Sequence, residues 1–212
     1  MQSSVFSGFS PRQLRRLASL STPAKVQDFV DRLPYNLEGE KTNYSPRQVL
    51  ENNAANCLEG AVFGAAAMRF LGFAPQLVDL RSVRDEDHAI CVFRTKAGSW
   101  GSVAKSKFVW LCCREPVYSS LRELVMSYFE HFYNYAGERT LREYSRPVDL
   151  RKFDGRNWMA GDGAIEFLHE VLDDARHNKL FADGVKPRRV RGLRYHSNLL
   201  TDPLHSILQK RN

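Results

Sequence analysis

Asn56-Cys57-Leu58-Glu59-Gly60 opens a run of apolar and small residues that continues through Leu71 and stops at Gly72. That run predicts a helix. Asn56 suits its N-cap, because the side-chain oxygen can accept a free amide N–H of the first turn. Cys57 then falls in the first turn, where the helix dipole favours an anion. A thiol there is expected to have a lowered pKa and more thiolate at neutral pH. Gly60, Ala61, Gly64, Ala65, Ala66 and Ala67 leave room for another element to pack close. Most free cysteines are small buried fillers, so a reactive Cys57 needs a second group beside it.

His88 is the candidate. After Gly72, Pro75-Gln76-Leu77-Val78-Asp79-Leu80 reads as a strand, and Arg84-Asp85-Glu86-Asp87 as an acidic turn. His88-Ala89-Ile90-Cys91-Val92-Phe93-Arg94 is a second strand, apolar on both faces and therefore central. Lys96-Ala97-Gly98 turns the chain into a third strand, Trp100-Gly101-Ser102-Val103-Ala104. His88 thus heads a buried strand and borders a loop. A neutral imidazole within reach of Cys57 would take its proton and stabilise the thiolate; the plainer alternative is a hydrogen-bonded histidine at a strand end.

Helix-initial cysteine, strand, loop, strand-initial histidine, hairpin and a Trp-bearing strand resemble the core of the transglutaminase-like superfamily. The resemblance covers about residues 45 to 110 and implies a papain-like arrangement of Cys57 on a helix and His88 on a strand. The chain also resembles an uncharacterised bacterial group with this core, through Cys57-Leu58-Glu59-Gly60-Ala61, Asp87-His88, Trp100-Gly101, Lys105-Ser106, Arg122-Glu123-Leu124 and Ser127-Tyr128-Phe129. The fold it implies is α+β: a short antiparallel sheet packed on the Cys-bearing helix, with helices added at both ends. One position departs from the superfamily pattern. The place of its usual acid holds Ala104, and no Asp or Glu occurs between Asp87 and Glu115. Ser106 is the nearest small hydrogen-bonding side chain and becomes the candidate third member. Asp85 or Asp87 would have to bend back. Losing an orienting group can cost a triad orders of magnitude in rate while the dyad stands. Asn53 and Asn56, just before the cysteine, are candidates for an oxyanion pocket, together with the backbone N–H of Cys57.

At 212 residues the chain fits one domain. We expect a single domain over residues 1–180 and a basic tail over 181–212 with a short helix from Asp202-Pro203. Cys57, Cys91, Cys112 and Cys113 lack the spacing of a zinc finger. Adjacent Cys112 and Cys113 do not easily bridge each other, so the pattern points to reduced thiols. The formal charge is +7, yet residues 1–174 hold as many acidic as basic side chains. The excess lies in the tail, around Lys186-Pro187-Arg188-Arg189-Val190-Arg191-Gly192-Leu193-Arg194-Tyr195. Such a cluster can meet an acidic partner, or it can be a solvated segment; the neutral body disfavours nucleic acid.

The first acid is Asp28, and the stretch before it has a transit-peptide composition. Ser10-Pro11-Arg12-Gln13 reads more simply as a capped helix start, which favours a cytoplasmic protein. Thr22-Pro23 opens a second helix ending before Pro34, and Ser45-Pro46-Arg47-Gln48 repeats the cap. Residues 108–113 are expected to extend the sheet, and a helix to run from Ser119 or Ser120 through Phe132. A later helix around Ile165 to Leu172 is expected to carry Glu166, His169, Glu170, Asp173 and His177 on its polar side. A solvated charged face explains that pattern better than a metal site. No run is long enough to span a bilayer.

The function expected from all this is acyl transfer at an amide or ester through Cys57 and His88, most simply hydrolysis of a peptide or protein side chain, without a cofactor. The alternatives are a catalytically weak or inactive domain that binds another protein, and binding of an acidic partner or nucleic acid through the tail.

Overall fold

The computed structural model describes residues 5–38 and 42–190. Their order is α1 (Pro11–Ser19), α2 (Pro23–Arg32), α3 (Pro46–Asn52), α4 (Cys57–Phe70), β1 (Gln76–Ser82), β2 (His88–Arg94), β3 (Trp100–Val103), β4 (Arg114–Tyr118), α5 (Leu121–Phe129), β5 (Leu141–Ser145), β6 (Val148–Asp149), α6 (Leu168–Asp173) and β7 (His177–Lys179). Helices and an antiparallel sheet make the fold α+β.

Local chemistry starts the helices. Ser10, Thr22 and Ser45 each accept a backbone N–H of the first turn and are followed by proline. Proline suits that place because its missing N–H would have had no intrahelical partner. Ser10 with Gln13, Ser45 with Gln48 and Asn56 with Glu59 close reciprocal capping boxes.

The sheet runs β4-β3-β2-β1-β5-β7, and β6 also pairs with β1. Leu77 faces Cys91, Asp79 faces Ala89 and Leu80 faces His88 across β1 and β2. Strand alternation then divides the core. Leu77, Ala89, Cys91, Phe93 and Val103 join the cluster built with α4. Val78, Leu80, Ile90 and Val92 join a second cluster with Leu124, Tyr128 and Phe132 on the α5 side. The sheet is thus sandwiched between helices. Val62, Phe63 and Met68 of α4 are completely buried, each worth about 1.5–3 kcal/mol of hydrophobic stabilisation.

Glycine lets α4 come this close. A Cβ at Gly60 would lie 2.4 Å from the Lys105 Cβ, and one at Gly64 would lie 3.0 Å from a Val103 methyl. The expected close partner of the small-residue helix is therefore the sheet at β3 and its exit.

That exit corrects the expected strand over residues 108–113. Gln27 of α2 takes both backbone groups of Ala104: its Nε2 donates to the carbonyl at 2.9 Å, and its Oε1 accepts the N–H at 3.0 Å. The Lys105 ammonium turns to the carbonyls of Asp31 and Leu33 at the end of α2. The chain leaves the sheet, makes a 3₁₀ turn at Val109–Leu111 and rejoins it at Arg114. The helix expected around Ile165 to Leu172 is shorter, beginning at Leu168. Among the described residues no helix is long and apolar enough to cross a membrane. The helix expected from Asp202 and the basic residues beyond Val190 lie outside the described residues.

Candidate active site

Cys57 is the first residue of α4, and Glu59 fixes its surroundings. The Glu59 carboxylate is fully buried. It accepts the Asn56 N–H at 2.8 Å, the Tyr44 N–H at 2.8 Å, the Thr42 hydroxyl at 3.0 Å and the Asn36 amide at 2.9 and 3.0 Å. Its charge lies at the positive end of the helix dipole, and it ties Asn36, Thr42 and Tyr44 to α4. Tyr35, immediately before Asn36, pairs its backbone with Ala55.

Three donors converge on the Cys57 sulfur: the Tyr35 hydroxyl and the backbone N–H groups of Leu58 and Ala89. All three favour a thiolate. Burial opposes them and prevails, so the thiol sits above its ordinary value. This corrects the expectation from helix position alone. Cys57 still keeps partial exposure. Burial and the neighbouring thiol together push the Tyr35 phenol up as well, and the Lys107 ammonium lies 5.1 Å from the centre of its ring.

His88 is next to this cluster in the chain but is turned from it. Its neighbour Ala89 faces α4 while the His88 ring faces the α5 layer. There it packs edge-on against Phe132, with ring centres 6.5 Å apart. Its Nε2 lies 3.0 Å from the Leu111 carbonyl. A carbonyl only accepts, so Nε2 carries the proton and Nδ1 the lone pair. Burial holds the imidazole down to about 4, which leaves it neutral at physiological pH. No hydrogen bond joins it to Cys57; the sulfur instead meets the N–H of the peptide linking His88 to Ala89.

The other expected site residues have different occupations. Ser106 accepts the Phe108 N–H at 3.0 Å, shaping the exit from β3. The orienting group on the imidazole is the Leu111 carbonyl, which side-chain reasoning could not reveal. Ala104 is buried. Asp87 accepts the Ser82 N–H at 2.6 Å and Asp85 the Thr140 hydroxyl at 2.7 Å, so both acids hold loops rather than the imidazole. Asn56 spends its side-chain oxygen on the Glu59 N–H at 2.8 Å. Asn53 is an exposed left-handed C-cap of α3. Neither asparagine side chain is among the donors to the sulfur. Glu59 was discoverable as the third residue after an asparagine cap; nothing in the sequence marked Tyr35.

The acids and histidines near residue 170 do not share one helix face. His169 bonds the Asn43 side chain at 3.0 Å. His177 lies on β7, with Nδ1 2.6 Å from the Ala175 carbonyl and Nε2 2.9 Å from Asp79. Both ring nitrogens of this buried pair are occupied, so it is a structural clasp. Burial pushes Asp79 up to about 6 against the pull of His177. Among the described residues no group of three or more His, Cys, Asp or Glu could hold a metal.

No family model matches the chain, and no curated protein matches it.

Proposed function

We propose that the chain is a thiol acyl-transfer enzyme of low intrinsic reactivity, with Cys57 as nucleophile and hydrolysis of an amide or ester as its reaction. The convergence of the Tyr35 hydroxyl and two backbone N–H groups on the Cys57 sulfur carries this reading. Donors held at the sulfur favour the thiolate, the nucleophilic form that acyl transfer requires. In the reaction the sulfur attacks the acyl carbon and gives its proton to water. The leaving amine or alcohol departs with that proton, and water then cleaves the thioester. A peptide or protein side chain is the substrate class, and the core is of the papain-like kind.

The low reactivity has a physical cause. The His88 ring faces the other side of the sheet, bonded to the Leu111 carbonyl, so no base stands beside the sulfur to take its proton. At rest Cys57 is a thiol, held protonated by burial.

An activated ester tests the proposal. With p-nitrophenyl acetate, wild-type protein should release nitrophenolate and carry a hydroxylamine-labile acetyl group on Cys57; Cys57→Ser should lose both, and Tyr35→Phe should slow both. No acyl group on Cys57 would overturn the reading. It would favour the second one, a non-catalytic interaction domain, whose support is the buried Ala104 and the uncharged partner of His88.

A further inference from the structure

The chain between β3 and β4 crosses the end of the sheet beside the Cys57 sulfur. At its start Lys105 packs on Gly60 of α4, one helical turn from Cys57. The Lys107 ammonium then lies 5.1 Å from the centre of the Tyr35 ring, whose hydroxyl donates to the sulfur. At its far end the Leu111 carbonyl meets His88 on the α5 side. Residues 105–111 thus pass from the α4 layer to the α5 layer over the start of β2, where the sulfur meets the Ala89 N–H.

A row of aromatic rings stands on this crossing. Phe108 and Trp110 stack with centres 5.5 Å apart and planes 22° apart, and Trp110 stacks in turn on Tyr133 at 5.9 Å and 23°. The backbone beneath the row is held. Ser106 accepts the Phe108 N–H at 3.0 Å, the Phe108 carbonyl accepts the Leu111 N–H at 3.0 Å, and Arg114 donates to the Trp110 carbonyl at 3.0 Å. Phe108 and Trp110 rest on the core cluster of the α5 side, yet all three rings stay half-exposed. Both ends of the row lead back to the sulfur. Phe108 does so through Lys107 and Tyr35, and Tyr133 through its neighbour Phe132, which packs on His88.

We propose, with Cys57 as the nucleophile as the premise, that the Phe108–Trp110–Tyr133 row is the recognition surface for the acyl part of the substrate, and that it selects an aromatic side chain beside the carbonyl that Cys57 attacks. Trp110 has a ring on each of its faces, so the middle of the row turns ring edges outward. Ring edges are electropositive and prefer the electron-rich face of another ring. An alkyl group of the same size gains burial there but not that attraction. A phenylalanyl or tyrosyl residue in a peptide supplies such a ring.

The test compares the p-nitrophenyl esters of acetate, 3-phenylpropanoate and 3-cyclohexylpropanoate on the full chain. Acylation of Cys57 is read by mass spectrometry, and each rate is divided by that of free cysteine with the same ester. Wild type should favour the phenyl ester over the acetate by about tenfold, and should also favour it over the cyclohexyl ester. In Trp110→Ala both preferences should shrink toward one. Tyr133→Ala, on a loop, should do the same and gives the readout if loss of the indole unfolds the chain. Phe181→Leu, outside the row, should keep both preferences. These ratios do not depend on how much protein is folded, because the esters share one sulfur. Acetylation of Cys57 without a phenyl preference, or a preference that survives in both row variants, would overturn the recognition surface and leave the nucleophile standing. A cyclohexyl ester as good as the phenyl ester would overturn the choice of an aromatic substrate. No acylation by any of the esters would overturn Cys57 as nucleophile, and the surface with it.

Discussion

His88 and Glu59 show how burial treats two polar side chains differently. The imidazole has one hydrogen bond to a carbonyl and titrates at about 4, against 6.5 for the free side chain. Between those values the unfolded chain binds a proton that the folded one refuses. Stability is therefore fully present above 6.5 and falls as the pH drops toward 4. Asp79, pushed up to about 6, acts in the opposite sense, gaining a proton on folding in the window above the usual carboxylate value. Comparing wild type with His88→Asn cancels the Asp79 effect. The variant should lose about 3 kcal/mol less stability than wild type across the acid window, measured by urea unfolding. Glu59 is surrounded by donors. Glu59→Gln turns an amide N–H toward backbone N–H groups and the Asn36 amide, which only donate there, and should cost about 3 kcal/mol in the same assay. It should also slow any acylation of Cys57, because Asn36, the residue after Tyr35, loses its anchor. The cysteine and histidine were visible in the sequence through their places at the starts of a helix and a strand. Their separation was not, because alternation turns Ala89 toward α4 and His88 away, and the group that holds the imidazole is backbone.

Elements were legible where local chemistry decides them. Three serine or threonine caps followed by proline begin helices where expected, and β1 to β3 fall on the apolar runs between turns that predicted them. Short polar strands were not legible. Leu141-Arg142-Glu143-Tyr144-Ser145 and His177-Asn178-Lys179 carry no lasting hydrophobic period, and they become strands because β1 offers its edge to β5 and β5 offers its own to β7. Tertiary contact also bent the chain at Ala104, where one glutamine satisfies both backbone groups. Gln27→Ala should cost about 2 kcal/mol by leaving them unpaired in the interior. Gly60→Ala sets two effects in opposition. Helix propensity favours alanine by about 1 kcal/mol, while a Cβ only 2.4 Å from that of Lys105 forces α4 away from the β3 exit. Overpacking should win, with a net loss of about 2 kcal/mol and a lower melting temperature.

The whole molecule is an antiparallel sheet with β1 near its centre and the late strands β5 and β7 completing one side. The start of the basic segment also meets this body: the Val190 N–H bonds the Gly137 carbonyl at 2.6 Å, and Arg139 donates to the Arg188 carbonyl. Its charge was plain in the sequence, but its placement depends on a loop that composition does not specify. Asp79 and His177 join the centre of the sheet to its far edge, both almost fully enclosed. Removing one partner should hurt more than removing both. His177→Ala should cost about 3 kcal/mol, and Asp79→Asn combined with it should recover part of that loss in a double-mutant cycle read by urea unfolding.

The two members of this clasp stand 98 positions apart in the chain. During synthesis, a ribosome that has passed residue 179 but still shelters β7 in its exit tunnel presents Asp79 with no imidazole to meet it. The sheet then lacks its outer strand, and the carboxylate keeps its water. Final closure of this fold therefore waits for the emergence of β7, and a protease applied to stalled chains of increasing length should find the abrupt gain in resistance at that point rather than when the cysteine helix appears.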